Sequence, residues 1–129
     1  MRKLVVLIAE DDTELTGLLR LTLEQEGFQV IISNEAIKAL SLINLFQPDV
    51  VVTDIVMPEV SGIDLIRWIR QTPSYDQLPI IAISAHGDNL LQQAKEAGAT
   101  ATLRKPDELN QLAETVKRLV TQPQPQGAG

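Results

Sequence analysis

Short apolar runs alternate along the chain with longer segments in which apolar residues recur every three or four positions. The apolar runs predict five strands, at about 3–9, 28–32, 49–54, 79–84 and 100–103. They are mostly continuous rather than alternating, which is typical of parallel strands that are covered on both faces. The segments that follow them predict five amphipathic helices. The sequence therefore indicates a strand–helix unit repeated five times.

Each predicted helix places its aliphatic residues on one face. The faces of the first and last helices are expected to consist of Leu15, Leu18, Leu19 and Leu23, and of Leu109, Leu112, Val116 and Leu119. Asp12 or Thr13 is the expected N-cap of the first helix, because a side-chain oxygen there can accept from the free amides of the first turn. Gly27 and Gly98 are expected to end the first and fourth helices, where a left-handed backbone favours glycine.

Five strand–helix repeats predict a parallel sheet with right-handed crossovers. Two arrangements compete, the flavodoxin-like strand order 2-1-3-4-5 and a Rossmann-type half sheet. In the first order, strands one and three are neighbours, which brings Glu10 and Asp11 close to Asp54. The acids that end these two strands therefore favour a flavodoxin-like α/β fold with helices on both faces of a five-stranded sheet.

The bulk properties exclude several classes of protein. A length of 129 residues fits one domain, and the absence of cysteine excludes disulfides and thiolate metal sites. A net charge of −6 argues against nucleic acid as a direct partner, because such binding depends on Lys and Arg. No apolar run approaches the roughly 20 residues needed to cross a membrane, and no signal peptide is evident. A cytoplasmic location without a membrane partner is expected.

The composition changes near the C-terminus. Residues 1–121 are expected to form the domain, whereas residues 122–129 contain only Gln, Pro, Gly and Ala. Such a segment buries too little apolar surface to offset its ordering entropy. We therefore expect 122–129 to be a disordered tail or the start of a linker.

Polar side chains collect where the predicted strands end. Glu10 and Asp11 follow the first strand, Asp54 ends the third, Ser84 ends the fourth and Lys105 follows the fifth. Clustered carboxylates repel one another unless a cation offsets their charge, and Mg²⁺ is a hard ion that prefers carboxylate oxygens. Asp54 is then a candidate nucleophile that forms an acyl phosphate. Ser84 and Lys105 are placed to hold the other oxygens of a phosphoryl group.

The ordered set of motifs resembles the receiver domain of response regulators in two-component signalling, of the single-domain type typified by chemotaxis regulators. The motifs are Glu10-Asp11, Asp54 within DIVMP, Gly62, Ser84-Ala85, Gly98-Ala99 and Lys105-Pro106, and the resemblance runs from about Lys3 to Val120. It implies that Asp54 is the phosphoacceptor, loaded by a sensor histidine kinase or a histidine phosphotransfer protein. It also implies a regulatory domain rather than an enzyme, one that catalyses only its own phosphorylation and dephosphorylation.

The resemblance also implies roles for the residues around Asp54. Glu10, Asp11, Asp54 and the backbone carbonyl of Val56 would bind Mg²⁺, with Mn²⁺ as a substitute. Ser84 and Lys105 would contact the phosphoryl group and report its arrival to the surface formed by helix 4, strand 5 and helix 5. A downstream protein target would read that surface.

Thr102 departs from the family pattern. Receivers usually carry an aromatic residue where this chain has Thr102, so the usual route to the output surface is not expected here. Two alternatives stay open: a receiver fragment of a longer regulator or hybrid kinase, and a pseudo-receiver that binds partners without phosphorylation. A metal-dependent phosphohydrolase is disfavoured because Val56 stands where a D-x-D motif has its second acid, and no nucleotide-binding glycine loop is present.

Overall fold

A five-stranded parallel sheet with strand order 2-1-3-4-5 forms the centre of the computed structural model, which describes residues 2–121. The strands are β1 (Val5–Ala9), β2 (Gln29–Ser33), β3 (Val50–Asp54), β4 (Ile80–Ser84) and β5 (Ala101–Arg104). All neighbouring strands pair in parallel. The flavodoxin-like order is confirmed, and the predicted strands overlap the observed ones. The predicted tail at 122–129 lies outside the described residues.

Within the described part of the chain, five α-helices connect or follow the strands. They are α1 (Thr13–Gln25), α2 (Ala36–Phe46), α3 (Gly62–Gln71), α4 (Asp88–Ala97) and α5 (Leu112–Thr121). Asp12 is the N-cap of α1, where its side chain accepts hydrogen bonds from the amides of Glu14 and Leu15. This confirms Asp12 rather than Thr13 as the cap. Gly27 and Gly98 have positive φ angles just past α1 and α4, as predicted.

The sheet separates two apolar cores, because successive residues of a strand point to opposite faces. Leu7 of β1 packs with residues of α2, α3 and α4, whereas Val6 and Ile8 pack with residues of α1 and α5. Helices therefore cover both faces, which explains why the strands read as continuous apolar runs. In residues 2–121, no helix combines the length and the apolar character needed to cross a membrane.

Two of the predicted helix positions are wrong. Leu18 is 60% exposed, because the buried face of α1 is formed by Thr16, Leu19 and Leu23, and Leu18 lies beside that stripe. Leu109 lies before α5, in a 3₁₀ turn at Leu109–Gln111. The spacing of the leucines predicted a larger buried face than either α1 or α5 has.

The order of the strands positions the acids. In the pairing of β1 with β3, Ala9 lies opposite Thr53, so the next residues, Glu10 and Asp54, emerge side by side at the carboxyl edge. The first residue of α3 packs directly on this edge. A Cβ on Gly62 would lie 2.0 Å from the carbonyl oxygen of Asp54, so only glycine fits there.

Candidate functional site

Three carboxylates meet at the carboxyl edge of the sheet. Glu10, Asp11 and Asp54 each offer an oxygen, and these oxygens lie within 4.8 Å of one another. Glu10 and Asp54 are buried, with 1% and 4% of their surface exposed, whereas Asp11 is exposed. The structure therefore brings together the three acids that the sequence placed at the ends of β1 and β3, in an arrangement that could hold a metal ion.

Lys105 supplies positive charge to the two buried acids. Its Nζ lies 2.8 Å from Oε1 of Glu10 and 3.4 Å from Oδ2 of Asp54. The position of Lys105 follows from the sheet, because its backbone amide donates to the carbonyl of Ser84 at the end of β4. One ammonium thus bridges two carboxylates that lie at the carboxyl ends of two other strands.

Asp54 has one carboxylate oxygen without a partner. Oδ2 faces Lys105, but Oδ1 is buried and has no hydrogen-bond partner among the described residues. A buried acceptor left unpaired costs about 1–3 kcal/mol, so native proteins seldom leave one without a reason. An unpaired carboxylate oxygen next to two further acids is suited to a cation or to an incoming electrophile.

Hydrogen bonds hold both the backbone and the side chain of Glu10. Its backbone amide donates to the carbonyl of Ser33 at the end of β2, and Oε2 accepts from the amide of Asp12 at 3.1 Å. Because Oε1 is bonded to Lys105, the carboxylate of Glu10 has a defined orientation. The N-cap of α1 therefore helps to hold an acid of the site.

Burial dominates the titration of the site. It raises the pKa of Asp54 and of Glu10 above the usual range, and the opposing effect of Lys105 does not cancel it. Burial alone would lower the pKa of Lys105, but the hydrogen bond to Glu10 and the charges of Asp54 and Glu10 raise it overall. Lys105 is therefore protonated at neutral pH, and it faces two acids whose charge is disfavoured by burial.

Ser84 and Val56 lie at the same edge. Ser84 is fully buried, and its Oγ accepts from the amide of His86 at 3.0 Å, which leaves its hydroxyl proton free to donate elsewhere. Its neighbour Ile83 is paired with Asp54 in the sheet, so Ser84 lies one residue beyond Asp54 on the next strand. Val56 is 46% exposed in the loop after β3.

Thr102 occupies the middle of β5, away from the acids. It is half-buried and lines a cavity of about 310 Å³ between α4 and β5, together with Leu91 and Arg104. The position where receivers usually carry an aromatic ring therefore lies beside an open cavity.

An ion pair beside this cavity was not predicted from the sequence. Nη1 of Arg104 in β5 lies 2.8 Å from Oδ1 of Asp88 in the first turn of α4, and Nη2 lies 3.7 Å from Oε2 of Glu108. Arg104 is paired with Ser84 in the sheet and directly precedes Lys105. The i,i+4 spacing could have suggested the contact with Glu108, but nothing in the sequence relates Arg104 to Asp88.

Comparisons with known proteins agree with this geometry. The family model for the response regulator receiver domain matches residues 6–117. The polar-differentiation response regulator DivK of Brucella anthropi is 30% identical over 115 residues, which cover 87% of this chain and 92% of DivK. The transcriptional regulatory protein CpxR of Escherichia coli is 35% identical over 116 residues, but the chain spans only 48% of CpxR, about half its length.

A solved structure is also similar to this chain. The crystal structure of a candidate response regulator from Chloroflexus aurantiacus superimposes with a TM-score of 0.88 at 31% identity, covering 94% of this chain and 100% of that one. The match of the family model extends from β1 into α5 and includes all the acids at the sheet edge. The chain therefore belongs to the family of response regulator receiver domains of two-component signalling.

Proposed function

We propose that this protein is a phosphoacceptor switch in which Asp54 accepts a phosphoryl group. The observation that carries the proposal is the unpaired, buried Oδ1 of Asp54 in a cluster with two other acids and one lysine. A carboxylate that is held in place with one free oxygen is suited to nucleophilic attack on phosphorus. The regulatory role of the receiver family supports this assignment.

The residues present fit a divalent cation. Glu10, Asp11 and Asp54 are hard oxygen donors close enough to share one ion, and the backbone carbonyl of Val56 would complete the protein's ligands. Bound Mg²⁺, with Mn²⁺ as a substitute, supplies positive charge that offsets the repulsion between these acids and the phosphoryl oxygens. Asp11 is the exposed member of the set, so a cation that arrives from solvent reaches it first.

The transfer itself is a simple exchange of bonds. The P–N bond of a phosphohistidine breaks while a P–O bond forms to Asp54, and the imidazole leaves with the bonding electron pair and takes up a proton. Lys105 and Ser84 hold the oxygens of the transferred group, Lys105 through its ammonium and Ser84 through the hydroxyl proton it has free. The donor in this proposal is a sensor histidine kinase or a histidine phosphotransfer protein.

The output in this proposal is a change in the surface formed by α4, β5 and α5, read by a downstream protein target. Ser84 and Lys105 adjoin this surface, because Ser84 is paired with Arg104 and Lys105 follows it. Thr102 lines the cavity beside α4 and carries no aromatic ring, so in this proposal the signal reaches this surface through another contact. The domain would act alone or as the receiver part of a longer regulator or hybrid kinase.

The test is phosphorylation by acetyl phosphate, with Mg²⁺ or with EDTA, followed by intact mass spectrometry. We expect a Mg²⁺-dependent gain of one phosphoryl group in the parent protein and none in Asp54→Asn. Asp64→Asn, at a half-buried acid in the first turn of α3 outside the three-acid cluster, is the matched control and should be labelled like the parent. If acetyl phosphate does not label the parent protein and beryllofluoride does not bind to it, the pseudo-receiver alternative replaces the proposal.

A further inference from the structure

A cavity of about 200 Å³ opens beside Asp11, between the loop after β2 and the loop after β3. Three carboxylates line it, from Asp11, Glu35 and Glu59. Its apolar lining includes Ile37, Pro58 and Val60. We call this cavity the acidic pocket. It is separate from the buried acids Glu10 and Asp54, which do not line it, but it shares Asp11 with their site.

The charges of the acidic pocket are not offset by the protein, and those of Glu35 and Glu59 remain when Asp11 holds a metal ion. Within residues 2–121, none of its three carboxylates forms an ion pair, and no Lys or Arg lines the cavity. Lys105, the cation of the adjoining acid cluster, is paired with Glu10 and Asp54. Negative charges gathered around a concave surface focus an electrostatic field that attracts a positively charged partner.

The size and the apolar lining of the acidic pocket indicate which kind of cation it would bind. A water molecule occupies about 30 Å³, so the cavity is several times larger than a single bare ion needs. Lys and Arg carry an aliphatic stem that covers apolar surface while the charged head stays beside carboxylates or water. A pocket with aliphatic walls and an anionic rim therefore fits one long cationic side chain better than it fits a metal ion.

The backbone at Glu59 is also unusual. Its φ angle is +69°, a left-handed conformation that glycine or asparagine adopts at lower cost. The loop thus holds a glutamate at a position where its backbone conformation is disfavoured. This strained conformation places the carboxylate of Glu59 at the acidic pocket and lowers the stability of the folded protein. Such a cost is typical of residues that serve binding.

We propose that the acidic pocket receives a Lys or Arg side chain of the protein that donates the phosphoryl group to Asp54. The proposal rests on the proposed function, because the pocket adjoins the acceptor site through Asp11. A cationic side chain seated there would orient the donor's phosphohistidine toward Asp54 and speed its encounter with the domain. The pocket would then discriminate among donor proteins by charge.

The first test uses n-butylguanidinium as a probe, with n-butylurea as its neutral counterpart, in a titration followed by the methyl NMR signals of Ile37 and Val60. We expect saturable shifts with the cation and binding at least about fivefold weaker with the urea. The double variant Glu35→Gln/Glu59→Gln should lose this difference. Glu96→Gln/Glu114→Gln removes the same charge from exposed positions outside the pocket and should keep it.

The second test measures transfer from a matched pair of synthetic phosphohistidine peptides. They carry Arg or the neutral isostere citrulline four residues from the phosphohistidine, on the same face of a helix. We expect the Arg peptide to label Asp54 about fivefold or more faster, with the advantage reduced at high salt and lost in Glu35→Gln/Glu59→Gln.

The outcomes separate this proposal from the proposed function. Equal shifts with both probes, or none at Ile37 and Val60, would overturn the pocket's role as a cation site. Cation binding without any advantage of the Arg peptide would overturn its role in selecting the donor. Labelling by acetyl phosphate reports on Asp54 independently, so its failure would count against the acceptor site rather than against the pocket.

Discussion

Lys105 and Glu10 are 95 residues apart in the chain, yet their side chains are joined by a bond of 2.8 Å between Nζ and Oε1. Glu10 is 1% exposed, so this pair is removed from water on its acidic side. A buried charge pair of this kind adds little stability by itself, but removing one partner leaves the other uncompensated. This ion pair therefore orients groups of the candidate site at the sheet edge and also affects the stability of the fold.

Replacing Lys105 by Met should lower stability at neutral pH. Two buried carboxylates would lose their cation, and we expect a cost of about 1–3 kcal/mol in the free energy of unfolding. Urea unfolding measures this change. In the double variant Lys105→Met/Glu10→Gln, part of the loss should be recovered, because one buried charge is removed with its partner. Additive effects of the two substitutions would contradict the coupling between them.

Asp54→Asn should raise stability at neutral pH. Burial raises the pKa of Asp54 in the folded protein, so ionisation of this carboxyl disfavours folding and the stability it contributes is lost as the pH rises through the folded-state pKa. Removing the charge should raise the free energy of unfolding by about 1.4 kcal/mol for each pH unit that separates the folded-state pKa from the unfolded-state pKa. The gain should disappear below the ordinary pKa of aspartate, where the carboxyl is protonated in both states. Urea unfolding at several pH values tests this, and a gain independent of pH would contradict it.

Mg²⁺ should stabilise the folded protein if the three acids bind it. A ligand that binds only the folded state raises the free energy of unfolding by about 2.7 kcal/mol at one hundred times its dissociation constant. Thermal unfolding with increasing Mg²⁺ measures the effect. Asp11→Asn should abolish most of it with little cost in the absence of metal, because Asp11 is exposed. The control Asp64→Asn should respond like the parent, and an equal response of Asp11→Asn would exclude Asp11 as a ligand.

Gly62→Ala should disrupt the edge of the sheet. The new Cβ would lie 2.0 Å from the carbonyl oxygen of Asp54, which is backbone and has little freedom to move. We expect a loss of at least about 3 kcal/mol, in the range of severe overpacking. Gly17→Ala, in the middle of α1 with nothing within 4 Å of the new Cβ, is the matched control. It should stabilise the protein by about 1 kcal/mol through helix propensity. Similar effects of the two substitutions would contradict the close approach at Gly62.

Much of the fold could be predicted from the sequence. Continuous apolar runs mark strands covered on both faces, and they gave the five strands of the sheet to within two residues at each end. The acids at the ends of β1 and β3 favoured the strand order 2-1-3-4-5, because only neighbouring strands bring Glu10 and Asp54 together. These are local patterns, and each follows from the alternation of side chains along a strand or from where a strand ends.

Burial along the helices was less predictable. Leu18 shares the leucine spacing of α1 but is exposed, because the width of the buried stripe depends on how α1 lies on the sheet. Leu109 continues the spacing of α5 but belongs to a separate turn. Helical periodicity shows which residues could share a face, and packing decides how much of that face is covered.

The sequence by itself determined the kind of fold and which residue types stand at the carboxyl edge of the sheet. Only the tertiary structure decided that Lys105 bridges Glu10 and Asp54, that Oδ1 of Asp54 is left unpaired, and that Arg104 reaches Asp88. The acidic pocket likewise exists only where two separate loops approach each other. Secondary structure follows from neighbours in the chain, whereas distances between charges of different elements depend on how those elements pack.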